Sequence, residues 1–266
     1  MMIRVLMSVV LVVMCVFPSV SKAEVSILDF VASSPVGSWQ LREQISTNHK
    51  GKKTGSTIRT SMVGKEDRDG ETHYWVEMAM QSFKISKKGK RKNKGKRVVM
   101  KSLMPESQLK ADPENVLSNL RNFSIETIVQ NGKQEPMRIT DSGGMFSGAM
   151  QLANVDIEFD FEPMGTETVT VAAGEFNATK ARGVGSTEIN AIIKKIRVKS
   201  DMVHWYSNDI PFGLIKMEGT TTTNGKTSNE TTELLEYGGS GAETEITRPA
   251  KDMPKTPGLE GLFGGA

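Results

Sequence analysis

Alternation of apolar and polar side chains is the feature that most constrains the fold of this 266-residue chain. It is clearest over residues 73–81, where Tyr74, Val76 and Met78 stand at every second position. Successive side chains of a β-strand point to opposite faces, so this spacing predicts a strand with one apolar face. Similar stretches recur between residues 38 and 237, and they predict about nine or ten antiparallel strands.

Turn sequences separate these stretches from one another. Asp69-Gly70, Gly174 and Asn224-Gly225 each lie between two of them and predict tight hairpin turns. Residues 187–199 fit either a helix or a strand. Strands this numerous, each with one polar face, must curl to bury their apolar faces. The predicted fold class is therefore mainly β: a curved antiparallel sheet or half-open β-barrel, with one or two helices on its concave face.

One helix is predicted over residues 112–131. Asp112 is a favourable N-cap, an apolar stripe includes Leu120 and Phe123, and an Asn-Gly pair is expected to end the helix. Residues 140–153 are small and rich in methionine, and they predict a second, looser helix or a flap. A helix inserted in mid-chain with an apolar stripe would cover the concave side of the sheet.

The first 23 residues have the three parts of a secretory signal peptide. Arg4 supplies a positive charge, residues 5–17 are almost entirely apolar, and Ser21 and Ala23 are small residues placed for cleavage after residue 23. The apolar run is shorter than the roughly 20 residues that a membrane-spanning helix needs. We expect the signal peptide to be removed and the mature chain to act outside the cytoplasm. A retained N-terminal anchor is the alternative.

Beyond the signal peptide, the chain is expected to form a single β-rich domain over residues 24–238. From Gly238 onward the composition changes to Gly, Pro, Thr and charged residues, with few apolar side chains. Such a composition buries too little apolar surface to offset the entropy of ordering. Residues 239–266 are therefore predicted to be a disordered tail.

Residue content argues against most catalytic and metal chemistry. Cys15 is the only cysteine and lies in the signal peptide, so the mature chain has no disulfide, thiol nucleophile or thiolate metal site. His49, His73 and His204 are far apart in sequence, which disfavours a catalytic zinc site. No phosphate-binding loop or nucleophile elbow is present. We expect no metal, no cofactor and no enzymatic activity.

Two local patterns leave a catalytic alternative open. Carboxylates alternate with apolar residues over 156–162, which could serve acid–base chemistry or bind calcium. The same alternation is typical of the solvated face of a strand. His204 precedes Asp209 by five residues, so a hydrolase that also uses Ser207 is a third hypothesis. A lone histidine beside a tryptophan is more typical of packing.

Positive charge is concentrated in residues 87–97, the basic segment. The whole chain, signal peptide included, has a formal net charge of +3, whereas the mature chain without this segment is acidic. This segment is predicted to be a long hairpin loop that joins two strands. It could dock on an anionic membrane surface, or it could be a solvated tip that maintains solubility. Nucleic-acid binding is disfavoured because the chain is exported and no aromatic residue lies among the charges. Its basic residues are Lys87, Lys88, Lys90, Arg91, Lys92, Lys94, Lys96 and Arg97.

Several segments resemble exported bacterial proteins of the LolA/LolB-like superfamily, the outer-membrane lipoprotein-sorting factors. The resemblance covers roughly residues 35–238 and is carried by residues 36–39, 63–66, 74–78, 99–103, 165–176 and 205–216. Its most distinctive part is the strand–turn–strand Trp205-Tyr206-Ser207, Ile210-Pro211 and Gly213-Leu214-Ile215-Lys216. The resemblance implies a half-open barrel with helices over an apolar cavity, and carriage of lipoprotein acyl chains or other lipids through the periplasm. It assigns no site residue to this chain.

The leading functional hypothesis is a non-enzymatic periplasmic carrier or chaperone that binds the acyl chains of lipids or lipoproteins in an apolar cavity. Methionine is abundant, and flexible thioethers adapt to ligands of variable shape, although they also serve as core filler. The alternative is an envelope interaction protein with a filled core and a basic docking loop. The candidate cavity-lining residues are Trp39, Leu41, Tyr74, Val76, Met78, Met100, Leu120, Phe123 and Trp205.

Overall fold

The computed structural model describes residues 31, 33–109, 124–140, 155–191 and 194–252. These residues form one open sheet of 13 strands with the order β13-β7-β6-β5-β3-β2-β1-β12-β11-β10-β9-β8, and β4 pairs with β3 outside this path. The strands are β1 (Trp39–Asn48), β2 (Lys53–Arg68), β3 (Glu71–Ile85), β4 (Arg91–Asn93), β5 (Val98–Pro105), β6 (Glu126–Asn131), β7 (Met137–Thr140), β8 (Val155–Val171), β9 (Gly174–Ala191), β10 (Lys194–Tyr206), β11 (Leu214–Thr223), β12 (Lys226–Gly238) and β13 (Lys251–Asp252). A short helix, α1 (Glu106–Leu109), follows β5.

Antiparallel pairing joins every pair of neighbouring strands except β13 and β7, which are parallel. The prediction of a mainly β, antiparallel fold is confirmed. The predicted hairpin turns form as well: Asp69-Gly70 and Asn224-Gly225 all have positive φ, as a two-residue hairpin with a matching twist requires. The ambiguous residues 187–199 belong to β9 and β10, apart from 192 and 193, which lie outside the described residues.

The prediction of a helix is wrong for its last six residues. Residues 126–131 form β6, which pairs with β5 on one side and β7 on the other. Glu126 and Ile128 are buried while Thr127, between them, and Val129 are half-buried, which is a period of two rather than 3.6. The Asn-Gly pair is part of the β6–β7 turn, where Gly132 has a φ of 59°. The rest of the predicted helix, and the predicted second helix or flap, lie outside the described residues.

The predicted disordered tail is also wrong as far as residue 252. Residues 239–252 cross one face of the sheet and finish beside β7, and we call them the strap. Thr244 and Glu245 hydrogen-bond to Glu77, and Ile246 is buried against the sheet. These specific contacts order a segment whose composition alone predicts disorder. Residues 253–266 lie outside the described residues.

The register of the strands defines two faces of the sheet. Directly paired residues of antiparallel strands point to the same side. We call one side the front face, and one row along it is Gln40, Thr60, Met78, Met100, Val129 and Met137. The other side is the back face, with the row Leu41, Arg59, Ala79, Val99 and Gln130. The strap lies on the back face.

The sheet is curved at its β8–β12 side. The backbone N–H of Ala173, in the β8–β9 turn, donates to the carbonyl oxygen of Leu234 in β12 at 3.3 Å. This contact joins two strands that are four places apart in the sheet order. On the front face, Phe212 from the β10–β11 turn packs with Met62 and Val76, so the two halves of the sheet share a core.

Candidate functional site

The front face carries an apolar row that spans four neighbouring strands. Met78, Met100, Val129 and Met137 occupy successive register positions on β3, β5, β6 and β7. All four side chains are half-buried. At about 4.8 Å between strands, the row is about 14 Å long. Its chemistry suits an apolar chain, because methionine side chains adjust their shape at little cost.

Buried residues support this row from one side. Val76 lies in a cluster with Met62, Leu109 and Phe212, and half-buried Tyr74 and Met104 pack against that cluster. The Tyr74 hydroxyl donates to Oε1 of Glu106 at 3.3 Å. Tyr74, Val76, Met78 and Met100 therefore meet on one face, as the sequence predicts for the three from β3.

The other predicted lining residues are not brought to that face. Trp39, Leu41 and Trp205 lie on the back face, because their register partners are Ser61, Arg59 and Lys216 respectively. Leu120 and Phe123 lie outside the described residues. The prediction that all these residues line one cavity is therefore corrected: only four of them share the front face. Alternation within a strand does not show which of its two faces lies on the same side of the sheet as a given face of a distant strand.

The contacts of the two back-face tryptophans, Trp39 and Trp205, indicate a structural role. The Arg59 guanidinium lies 4.6 Å from the ring centroid of Trp39, and Lys180 and Lys216 lie 5.2 and 4.8 Å from that of Trp205. The Trp205 indole N–H donates to Glu167 at 2.6 Å, and this bond lowers the pKa of the Glu167 carboxyl. Cations over the rings and a satisfied N–H fit packing and surface shielding.

Polar side chains continue the apolar row beyond β3. Gln40 is only 1% exposed and its Oε1 has no hydrogen-bond partner within the described ranges. Its register partner Thr60 accepts a hydrogen bond of 3.5 Å from the buried guanidinium of Arg42. The front face is thus amphipathic: it is apolar toward β7 and polar toward β1.

His204 and Tyr206 form the most perturbed titratable pair of the front face. The Tyr206 hydroxyl and His204 Nδ1 share a hydrogen bond of 2.9 Å, and the two rings stack with centroids 5.7 Å apart. Burial lowers the pKa of His204 from 6.5 to about 3, so the imidazole is neutral. Burial also raises the pKa of the Tyr206 hydroxyl well above its ordinary value. The pattern around His204 in the sequence carries no signal of this burial.

The hydrolase arrangement is not formed around His204. The Ser207 hydroxyl donates to the Asp209 carboxylate at 3.3 Å and accepts from the Asp209 backbone N–H at 3.2 Å, which makes a local turn. The imidazole instead engages Tyr206. Across the described parts of the chain, no three His, Cys, Asp or Glu side chains come together as a metal site. Asp160 and Glu162 are exposed on the edge strand β8.

The basic segment is an ordered hairpin rather than a loose loop. Its central residues form β4, which pairs with β3. Arg91 donates to both carboxylate oxygens of Glu43, one of them at 2.9 Å, and Arg97 donates to those of Glu245 at 2.8 and 2.6 Å. Two of the eight cations are thus held in ion pairs with the body. Arg91 is nevertheless exposed, and so are the lysines Lys87, Lys88, Lys90, Lys92, Lys94 and Lys96.

Further lysines join the basic segment at the same end of the sheet. Pairing of Thr54 with Lys84 sets the β1–β2 turn beside the basic segment, and pairing of Asn48 with Ser228 sets the β11–β12 turn next to it. The exposed lysines that these turns contribute are Lys50, Lys52, Lys53 and Lys226. We call this surface and the basic segment together the basic end. Sequence reasoning missed it, because its turns meet only through the register of the sheet.

Comparisons with known proteins identify no family. No protein-family model matches the chain, and no curated protein matches it. Among solved structures, a protein described as exported with a YmcC-like fold, from Bacteroides fragilis, is 14% identical with a TM-score of 0.36, over 77% of this chain and 97% of that one. A protein described as a lipoprotein, from Parabacteroides distasonis, is 15% identical with a TM-score of 0.34, over 77% and 96%. Both scores are too low to transfer a fold or a function.

The described residues contain no helix with the length and apolar character that crossing a membrane requires.

Proposed function

We propose that this protein is an exported, periplasmic, non-catalytic carrier that shields the acyl chain of a lipid or lipoprotein on the front face of its sheet. The observation that carries the proposal is the half-buried row of Met78, Met100, Val129 and Met137. The signal peptide over residues 1–23 and the resemblance to LolA/LolB-like proteins support the same assignment.

The dimensions of the row agree with a lipid tail. A chain laid along the four strands would follow about 14 Å of apolar surface. Each buried methylene contributes about 0.8 kcal/mol, so a tail of about ten methylenes contributes about 8 kcal/mol before the entropy of binding is subtracted. Beyond β3 the apolar surface ends, because the next side chains of the row are the buried polar Thr60 and Gln40.

Fluorescent fatty-acid binding tests this site directly. We expect a fluorophore-labelled hexadecanoic acid to bind the protein saturably, and the Met78→Gln/Met100→Gln variant to bind it at least about ten-fold more weakly, because about 1.4 kcal/mol of apolar burial is lost. Met164→Gln is the matched control, since Met164 is 48% exposed on β8 and away from the row. Equal affinity of the double variant and the control would contradict the proposed site.

Docking on an anionic membrane is the second part of the proposal. The basic end presents exposed lysines from three turns, and each lysine near an anionic surface contributes on the order of 1 kcal/mol at low salt. Arg91 and Arg97 are expected to contribute less, because each already pairs with a carboxylate.

Vesicle flotation tests the docking. With phosphatidylglycerol vesicles at low salt, we expect Lys87→Gln/Lys88→Gln/Lys90→Gln to reduce binding at least about ten-fold. Lys65→Gln, near the opposite end of the sheet, is the control and should leave binding unchanged. Unchanged binding of the triple variant would overturn the docking. Vesicle binding without any fatty-acid binding would favour the alternative, an envelope interaction protein with a filled core.

A further inference from the structure

The strap makes the contacts of a bound peptide rather than those of a simple chain end. It leaves β12 through Gly238-Gly239-Ser240-Gly241, and the Ala242 N–H donates to the Gly37 carbonyl oxygen at 2.7 Å. It then crosses the back face and ends as β13, which pairs with β7 in parallel. Addition of a segment to a sheet edge is a common mode of peptide recognition, and residues 251–252 of the strap show it.

The centre of the strap is held by a buried carboxylate and an apolar pocket. Glu77 is 2% exposed and accepts hydrogen bonds from the Thr244 hydroxyl at 2.5 Å and from the Glu245 N–H at 2.8 Å. Ile246 is 7% exposed and lies in a cluster with Ala79, Val99 and Ile128 from three strands. These contacts define two adjacent subsites, one for paired donors and one for an aliphatic side chain.

Charged groups define the subsites on either side. Arg97 donates two hydrogen bonds to the Glu245 carboxylate, which lower the pKa of Glu245 and raise that of Arg97. Arg248 donates to the carbonyl oxygens of Lys133 and Gln134, the former at 3.0 Å. Together the subsites fit the sequence Thr-Glu-Ile-x-Arg in the conformation of the strap, which bends at Glu245 and Arg248 and in which the Ile246 N–H donates to the Thr244 hydroxyl at 3.3 Å.

We propose that the back face beneath the strap is a recognition site for a peptide, and that residues 244–248 occupy this site in the free protein. The partner that it fits is a protein segment with a hydroxyl residue, a glutamate, a β-branched aliphatic residue, a spacer and an arginine. The contacts between residues 244 and 248 and the sheet are non-covalent: hydrogen bonds, an ion pair and apolar packing. The glycine-rich connection gives the strap the freedom to leave the site when such a partner competes.

The closing experiment uses the full chain with the strap weakened by Ile246→Asp, and a fluorescein-labelled peptide of residues 239–252. Fluorescence anisotropy should show saturable binding of the peptide to this variant, with a Kd in the micromolar range. A tethered strap has an effective concentration of about 1 mM, so for a Kd of about 10 μM the wild-type protein should bind the peptide about 100-fold more weakly. Glu245→Arg in the full chain is a second way to weaken the strap.

A charge exchange distinguishes this site from non-specific binding. Arg97→Glu, added to the Ile246→Asp protein, should weaken binding of the wild-type peptide, and a peptide with Glu245→Arg should restore it. Failure of both weakened proteins to bind the peptide, with far-ultraviolet circular dichroism like that of the wild type, would overturn the proposal. Equal binding to the wild-type protein, or no rescue by the exchanged peptide, would also overturn it. None of these outcomes depends on fatty-acid or vesicle binding.

Discussion

Acidification from pH 7 to pH 5 is expected to cost the folded protein about 2 kcal/mol through His204 alone. Burial lowers the pKa of this imidazole from 6.5 to about 3, so the folded state excludes a proton that the unfolded state binds below pH 6.5. Stability is therefore present above pH 6.5 and is lost as the pH falls toward 3. Each pH unit inside this window costs close to 1.4 kcal/mol, and about one and a half such units lie between pH 6.5 and pH 5.

Urea unfolding of the wild type and of His204→Phe at both pH values measures this cost. The phenyl ring can keep the packing against Tyr206 and Phe161, whose ring centroids lie 5.7 and 5.4 Å from that of His204. The lost hydrogen bond to Tyr206 lowers the stability of the variant by a similar amount at both pH values. Carboxylates titrate in both proteins and cancel in the comparison. If both proteins lose the same stability between pH 7 and pH 5, within about 0.5 kcal/mol, the argument from burial of a neutral imidazole is refuted.

Four further substitutions, one of them a control, test packing, a turn and the strap. Gly219→Ala should destabilise the fold by more than about 2 kcal/mol in urea unfolding, because its Cβ would lie 2.1 Å from the carbonyl oxygen of Asp201. The control Gly225→Ala places its Cβ in open space and should cost only about 1 kcal/mol, from its positive φ. Equal losses of stability in the two variants would contradict the clash. Phe212→Ala should lower stability by about 3 kcal/mol, since this buried ring joins the two halves of the sheet, and a loss below about 1 kcal/mol would contradict that role. Glu77→Gln should speed amide hydrogen exchange in the strap about ten-fold with little change in global stability, because an NH2 group replaces one of the two acceptor oxygens. Unchanged exchange would show that this carboxylate does not hold the strap.

The strands and their tight turns were predictable because their signals are local. The period-two pattern around Val76 predicts β3, and Asp69-Gly70 and Asn224-Gly225 predict turns that only positive φ can form. The face that each strand shares with its distant partners is not local information. Trp39 and Val76 look equivalent in sequence, yet the register of β1, β2 and β3 places them on opposite faces.

Short and irregular elements account for the errors. Residues 126–131 are too few to separate a strand from the end of a helix, because a short apolar run satisfies both periods. The strap has no periodic pattern at all. Its order comes from a few contacts, chiefly those of Glu77 and Ile246, whose partners are far away in sequence.

The chemical character of the candidate site was more predictable than the identity of the residues that form it. Methionine content and alternation indicate an adaptable apolar face, and Met78 and Met100 are indeed register partners. The polar end of the face was not predictable, because Gln40 and His204 carry no pattern that reveals their burial. Sequence also shows the basic segment but not the turns that the sheet brings beside it.

The most direct test of the central claim is the chemical content of the native protein. The full chain would be exported with its own signal peptide, purified without detergent, and its organic extract analysed by mass spectrometry. The account predicts a phospholipid, fatty acid or acylated peptide in about equimolar amount, and less of it from the Met78→Gln/Met100→Gln variant than from Met164→Gln. A clean extract, together with no binding of fluorescent hexadecanoic acid, would contradict it.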